Sequence, residues 1–583
     1  MKVGLNKKLL NSLIIIGVFS NIFIFATFSS ILYHENRYIG VSGNILNVAR
    51  TSNPITMDPV DAWDSVSNDM LDQVVETLIA YDLTDPALPL VGRLAESWNW
   101  LDNTTIEFKL RENVFFHDGL KFTADCVLHT ITRINFFGNW SGTLDPATHT
   151  MAFPHSLYKF SDETPIFNNS LSFATDDYKV TLLLNRPYGP AEGLLTYTAS
   201  SIVHPDSTPA NEMLKLGEDL VIGTGPFKLM EYIPNSEIRF SLWERYWATG
   251  PYWDHIVYRY YTDTNTANNA MLAGDIDWLG QGIAFLLPDF KADPHVTVTG
   301  NGTSDYIAGS LYGYIGFNSE IINKTWRKAI CHAFNYTNLI EDIKLDTVIK
   351  ANSLVPPGFP AHNKSVTGGT YNIPYARQVM QSMGYGYTNS SPWDVGSQVG
   401  DIFTTGTNET LWQSAEFTPN VGNFTFNGFN FHHREYESFI FDLLDQFRDD
   451  MQMIGIKAAN PELRFQWTVR DPPEELHIYY KGWEPEYFET FTMINPFVNP
   501  ACSTNFGKIN NSEINSLLTT ILAETNTSQR YEYYKKIQYL IHDKYYYHMP
   551  LFYDKLSYVH AETLKGFPYN CMRILYLYPT YRD

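Results

Sequence analysis

Polar and apolar residues alternate with period two from Ile106 to Arg111: Ile106, Phe108 and Leu110 are apolar, and Glu107, Lys109 and Arg111 are charged. That pattern predicts a strand with one buried and one wet face. A turn follows at His117-Asp118-Gly119. Thr123 then stands where an N-cap belongs, Asp125 falls in the first helical turn, and Val127, Leu128, Ile131 and Ile134 recur at helical spacing. The same signals recur along the chain. Asn44–Arg50 and residues 178–187 read as strands, with a Pro-, Asn- and Ser-rich loop over 138–175 between them. A helix from about Thr264 to Ala273 ends at Gly274, a glycine placed to take a left-handed C′ conformation. Further helices are expected around Ala329, Ile330 and Ala333, over Asn372–Tyr385, and over Phe441–Ala458, where Leu443, Leu444, Phe447 and Met451 share a face. Ile222-Gly-Thr-Gly-Pro-Phe-Lys228 marks a tight turn before a strand. It lacks the spacing of a phosphate loop, which also needs a helix after it.

The N-terminus departs from this globular pattern. Lys2, Lys7 and Lys8 precede a nearly uninterrupted apolar run from Leu9 to Leu32, 24 residues, which is long enough to span a bilayer. Flanking positive charge directs that end to the cytoplasm and the remainder outside. No clean A-x-A site ends the run, so an uncleaved anchor is favoured over a cleaved signal peptide. The first cysteine is Cys126, so no N-terminal lipid-attachment cysteine is present. Sequons such as Asn103-Thr-Thr, Asn139-Trp-Ser, Asn301-Gly-Thr, Asn363-Lys-Ser and Asn526-Thr-Ser agree with an external, glycosylated location. Together these features fit an archaeal surface protein better than a bacterial periplasmic one.

At 583 residues the chain should form two or more lobes. A formal net charge of −22 argues against a sequence-independent grip on phosphate backbones, so nucleic acid is not an expected partner. Aromatics make up 15% of the chain, enough for core packing and for an aromatic-lined cleft as well. Cys126, Cys331, Cys502 and Cys571 show neither CxxC nor metal-ligand spacing. The first two read as core thiols, and a Cys502–Cys571 disulfide is open to an oxidising compartment.

The block Ala95–Ile134, "AESWNW…IEFKLRENVFFHDGLKFTADCVLHTITRI", resembles the signature region of the family-5 extracellular solute-binding proteins, receptors of dipeptide, oligopeptide and nickel ABC transporters. "GTGPF" and the stretches Trp243–Gly280, Tyr314–Ile343, Asn372–Tyr385 and Ile537–Phe567 extend the resemblance over nearly the whole ectodomain. It implies an α/β, two-lobed fold of the type II periplasmic-binding kind with an extra subdomain, preceded by the anchor at 1–35. The first lobe would comprise about 44–70, 222–305 and 500–583, the extra subdomain 71–221, and the second lobe 306–499. It also implies capture of a small solute, most simply a peptide, in an inter-lobe cleft. A permease and ATPase subunits would be the partners of a monomeric receptor that needs no cofactor.

Peptide-binding members carry a W-x-x-D-Y-x-D-P element whose first aspartate pairs with the ligand's α-ammonium. Aligned on Gly482-Trp483, this chain has Glu486 and Tyr487 at the D-Y positions and Glu489-Thr490 in place of the later D-P. Trp483, Glu486 and Tyr487 are therefore the candidate ligand-binding residues. A glutamate can still make a charge-assisted hydrogen bond to an ammonium, reaching one methylene further. The alternative is that Glu484, Glu486 and Glu489 solvate a loop. His432-His433 would point to opposite sides of an extended segment, which disfavours a shared metal, and His117-Asp118 reads as a turn pair. HExxH, GxSxG and Walker motifs are missing, so no enzyme is expected. An oligosaccharide receptor and, from another class, a surface-anchored hydrolase remain as alternatives.

Overall fold

The computed structural model describes residues 43–583 apart from 63, 86–87, 139–156, 161, 281–286, 300–305, 386–438 and 457–477. The apolar N-terminal run, His432-His433, Asn139 and Asn301 lie outside the described residues. Among the described residues no helix is long and apolar enough to cross a membrane.

Three sheets organise the chain. The largest has seven strands in the spatial order 296–299, 558–561, 278–279, 45–50, 255–260, 237–242, 227–233. Ile45–Arg50 lies inside it and pairs in parallel with both neighbours, His255–Tyr260 and Trp278–Leu279. A strand covered on both sides reads as a near-continuous buried run, and Leu46, Val48 and Ala49 are accordingly at most 1% exposed. The second sheet is antiparallel, in the order 348–350, 548–556, 307–317, 478–483. Its strand His548–Leu556 comes from the C-terminal segment that the family resemblance assigned to the first lobe. Only Ser557 separates it from Tyr558–Ala561, which belongs to the seven-stranded sheet.

The third sheet, 95–102, 105–110, 179–183, 173–176, is antiparallel and falls within the stretch that the resemblance assigned to an extra subdomain. Ile106, Phe108 and Leu110 are fully buried, as their alternation requires, and pack with Val127, Ile131 and Ile134 of helix Ala124–Gly138. Phe173–Asp176 falls within the stretch read as loop. It is a short edge strand whose Phe173 is half exposed, so it carries no alternation to betray it. Elsewhere the local signals hold. Asp263 caps helix Thr264–Ala273, and Gly274 closes it at φ 77°. Helix Phe439–Gln452 buries Leu443, Leu444, Phe447 and Met451.

The Gly-Thr-Gly-Pro turn is a clasp. The His117 ring lies 2.9 Å from the Gly225 carbonyl, and the His117 amide donates to the Gly223 carbonyl at 2.9 Å. Burial pushes the imidazole down to about 4, so it stays neutral, which suits a turn pair and not an acid or base. The Gly225 amide donates to the Val74 carbonyl at 2.9 Å. A Cβ on Gly223 would stand 2.0 Å from that same oxygen, which explains the glycine. Gly223→Ala is expected to destabilise the protein by about 1–3 kcal/mol, read as a fall in the urea midpoint at unchanged slope. An unchanged midpoint would show that Val74 yields freely.

Candidate functional site

A cleft of about 760 Å³ opens between the first two sheets, within the range of roughly 300–1,000 Å³ common for small-molecule sites. Its first wall is the end of helix Ser65–Leu71 and the turn after it. Asp64 caps this helix by accepting from the Ser67 amide at 2.9 Å. Asp69 in the last turn of the helix, and Asp72 and Glu76 past it, present carboxyl groups among buried Met70, Leu71, Val74 and Val75. Asp69 is tied to Arg50 by a buried ion pair and accepts from the Leu575 amide at 3.1 Å. Glu76 accepts from the Thr224 hydroxyl at 2.9 Å, the Tyr246 hydroxyl at 2.9 Å and the Trp247 indole at 3.0 Å, with Arg93 3.8 Å away. The GTGPF clasp thus holds this wall from behind. Asp72 differs. It is half-buried, its side chain accepts the Thr198 hydroxyl at 2.9 Å, and burial outweighs that bond, raising its carboxyl to about 7.

The opposite wall comes from the second sheet. Strand Ile478–Trp483 ends opposite Tyr312, and the chain then runs through Glu484-Pro485-Glu486-Tyr487-Phe488 along the cleft. Trp483 packs its ring 5.2 Å from Phe497 and leaves its indole Nε1–H without an acceptor. Glu486 is half-buried and has no ion pair among the described residues. Crowding by protein raises its carboxyl to about 7, although its own backbone N–H offsets part of the shift. Tyr487 is only 4% exposed, its ring 5.7 Å from Tyr197, so it forms wall more than ligand-facing tip. All three sequence-predicted residues therefore line one cleft.

The other two glutamates of the segment part company. Glu484 is exposed at the rim. Glu489 points away, 2% exposed, where it caps helix Thr490–Val498 and accepts the Tyr534 hydroxyl at 2.8 Å. The residue in place of the second family aspartate is thus a structural cap, and neither a cleft group nor a loop-solvating charge.

A model described as "Bacterial extracellular solute-binding proteins, family 5 Middle" matches residues 89–505. The chain belongs to the family-5 solute-binding proteins. This family comprises extracellular binding components of transport, not enzymes. The glutathione-binding protein GsiB of Escherichia coli is 23% identical over 547 residues, covering 89% of this chain and 91% of that protein. Among solved structures, DppA from Helicobacter pylori in complex with the peptide STSA is 19% identical with a TM-score of 0.66, covering 92% of this chain and 98% of the other. AppA from Bacillus subtilis in complex with a nonapeptide is also 19% identical, with a TM-score of 0.63, covering 92% and 99%. These likenesses establish the two-lobed α/β fold.

In this family-5 protein the Cys502–Cys571 disulfide that the sequence left open is not formed. All four cysteines are free. Cys571 is buried against Gly358, and Cys502 instead receives the Asn495 amide at 3.4 Å. Of the sequons, Asn103 is exposed on a strand turn, whereas the Asn363 side-chain amide is spent on the Lys535 carbonyl at 2.9 Å. Sequence reasoning missed the Asp69–Glu76 wall. Its signal was there: Asp69, Asp72, Gln73 and Glu76 recur three or four residues apart within an otherwise apolar run, the spacing of a polar stripe in a buried setting.

Proposed function

We propose that this protein is the receptor of an ABC importer and captures short peptides in the cleft between its lobes. Trp483, Glu486 and Tyr487 form the second-lobe wall of the site. The observation that carries this reading is Glu486, a half-buried carboxylate with no ion pair among the described residues, facing a cleft walled by both lobes. A ligand ammonium would supply the missing partner, and the Trp483 indole would find an acceptor in a peptide carbonyl. Contacts to both walls exist only in the closed arrangement, so the ligand stabilises closure by its differential affinity. The peptide complexes and the glutathione-binding relative support a peptide over a sugar.

The first lobe is assigned to residues 44–70, 222–305 and much of 500–583, the subdomain to 71–221, and the second lobe to 306–499 with strand 548–556 joining it. The receptor, archaeal and monomeric, is held at the outer face of the membrane by residues 9–32, glycosylated on exposed sequons, and hands its solute to two permease subunits driven by two ATPases. The lysines before the apolar run and the sequons after it support that placement.

Native mass spectrometry of the purified protein is expected to reveal co-purified peptides. In calorimetry, Glu486→Gln should weaken tripeptide binding by about ten- to a hundredfold, the worth of one charge-assisted hydrogen bond. Unchanged affinity would remove Glu486 from the site. A co-purified oligosaccharide would replace the peptide reading, and release of a cleaved peptide would sink the receptor reading in favour of a hydrolase.

A further inference from the structure

The charge accounting of the cleft is lopsided. Among the described residues its lining includes three arginines and seven carboxylates, with no lysine or histidine. Each arginine is already matched: Arg50 by Asp69, Arg93 by Glu76 at 3.8 Å with the Tyr576 hydroxyl besides, and Arg573 by Asp554 at 2.7 Å. Asp82 is spent locally on the amide and hydroxyl of Thr84, whereas Asp64 gives one oxygen to the Ser67 amide and keeps its buried Oδ2 without a partner. What remains without an ion pair among the described residues is Asp64 and Asp72 on the wall around helix Ser65–Leu71, Glu486 on the opposite wall, and Glu484 at the rim. No described cation is free to receive an anionic side chain of a ligand.

We propose that the cleft selects a multiply cationic solute: a short peptide whose α-ammonium is joined by a lysine or arginine side chain, one positive group going to Asp72 and another to Glu486. This rests on the peptide reading above and narrows it. A ligand with a single ammonium can engage only one wall by charge, leaving the other carboxylate desolvated on closure, which costs free energy. A dication engages both walls, so the charge pattern couples recognition to closure. A ligand bearing an extra carboxylate meets only like charge or arginines already taken, which is repulsive discrimination as well as attractive.

The test is calorimetry on the full chain at pH 8 with Ala-Ala-Ala, Ala-Lys-Ala and Ala-Glu-Ala, and with 1,5-diaminopentane as a dication that is not a peptide. Ala-Lys-Ala is expected to bind at least about tenfold more tightly than Ala-Ala-Ala, with Ala-Glu-Ala weakest. In Asp72→Asn and in Glu486→Gln the preference for lysine over alanine should fall toward unity; circular dichroism confirms that both variants fold. Equal affinities, or Ala-Glu-Ala binding as well as Ala-Lys-Ala, would overturn the charge selection and leave the peptide receptor standing. Binding of the diamine with no tripeptide binding would keep the dication selection and overturn the peptide reading. Binding of none of the four would overturn both.

Discussion

Replacing Arg133 by methionine is expected to cost about 3–5 kcal/mol of stability. Arg133, 2% exposed, holds fully buried Asp58 through two parallel bonds, Nη1 to Oδ1 at 2.7 Å and Nη2 to Oδ2 at 2.5 Å. Its remaining donors reach the Pro209 and Glu212 carbonyls. Asp58 also accepts from the Val60 and Leu214 amides. Four backbone groups are thus satisfied by one pair, so removing the guanidinium strands a buried carboxylate and two carbonyls. A double variant, Asp58→Leu with Arg133→Met, should recover only part of the loss, since the Val60 and Leu214 amides would then lack acceptors. Urea unfolding at pH 7 measures both. A single-variant loss under about 1 kcal/mol would mean that water reaches the site.

Peptide affinity should rise with pH across neutrality. In the empty protein the carboxyls of Asp72 and Glu486 stand at about 7, both lifted chiefly by burial. Asp72 faces Asp69, which lifts it further, and Arg93, which opposes the lift weakly; Tyr197 and Tyr487 face Glu486. An ammonium binds the ionised form, so below about pH 7 each group must lose a proton before it can pair. Between pH 6 and pH 8 the affinity for a cationic peptide should increase about tenfold for each group engaged, and up to about a hundredfold for both. Calorimetry in buffers of different ionisation enthalpy should show proton release at pH 7. The empty protein behaves oppositely. Because these folded-state values lie above the unfolded ones, their stabilising contribution is present at low pH and is lost as pH rises through 7. The rise in melting temperature on adding peptide should therefore be larger at pH 8 than at pH 6. A flat affinity profile, with no proton release, would show that neither carboxylate meets a ligand cation.

How far the sequence disclosed all this depended on the range of the interaction. Strand Thr105–Leu110, helix Ala124–Gly138 and the Gly274 stop were legible because alternation, helical period and a C′ glycine are written within a few residues. Phe173–Asp176 was hidden because this short edge strand has no fully buried residue and so leaves no alternation. Trp483, Glu486 and Tyr487 were found through family resemblance and not through chemistry, since a glutamate in a loop reads alike whether solvated or facing a cleft. The opposite wall escaped notice because what makes Asp72 unusual, its lack of an ion pair beside paired Asp69 and Glu76, is decided by Arg50 and Arg93, which engage its neighbours from different strands or turns. Similarly, nothing local distinguishes Glu489 as a cap until Tyr534 arrives from the C-terminal helix.

That wall depends on the end of the chain for its completion. The Leu575 amide donates to Asp69 and the Leu577 amide to Gln73, pairs 506 and 504 residues apart, while Tyr558–Ala561 fits between two strands of the seven-stranded sheet. A ribosome must therefore deliver the chain through Leu577 before the binding face can form, and such distant closures are slow to make. No fragment that stops short of that segment can assemble the cleft early, so maturation of the receptor waits for Leu575 and Leu577 to leave the ribosome.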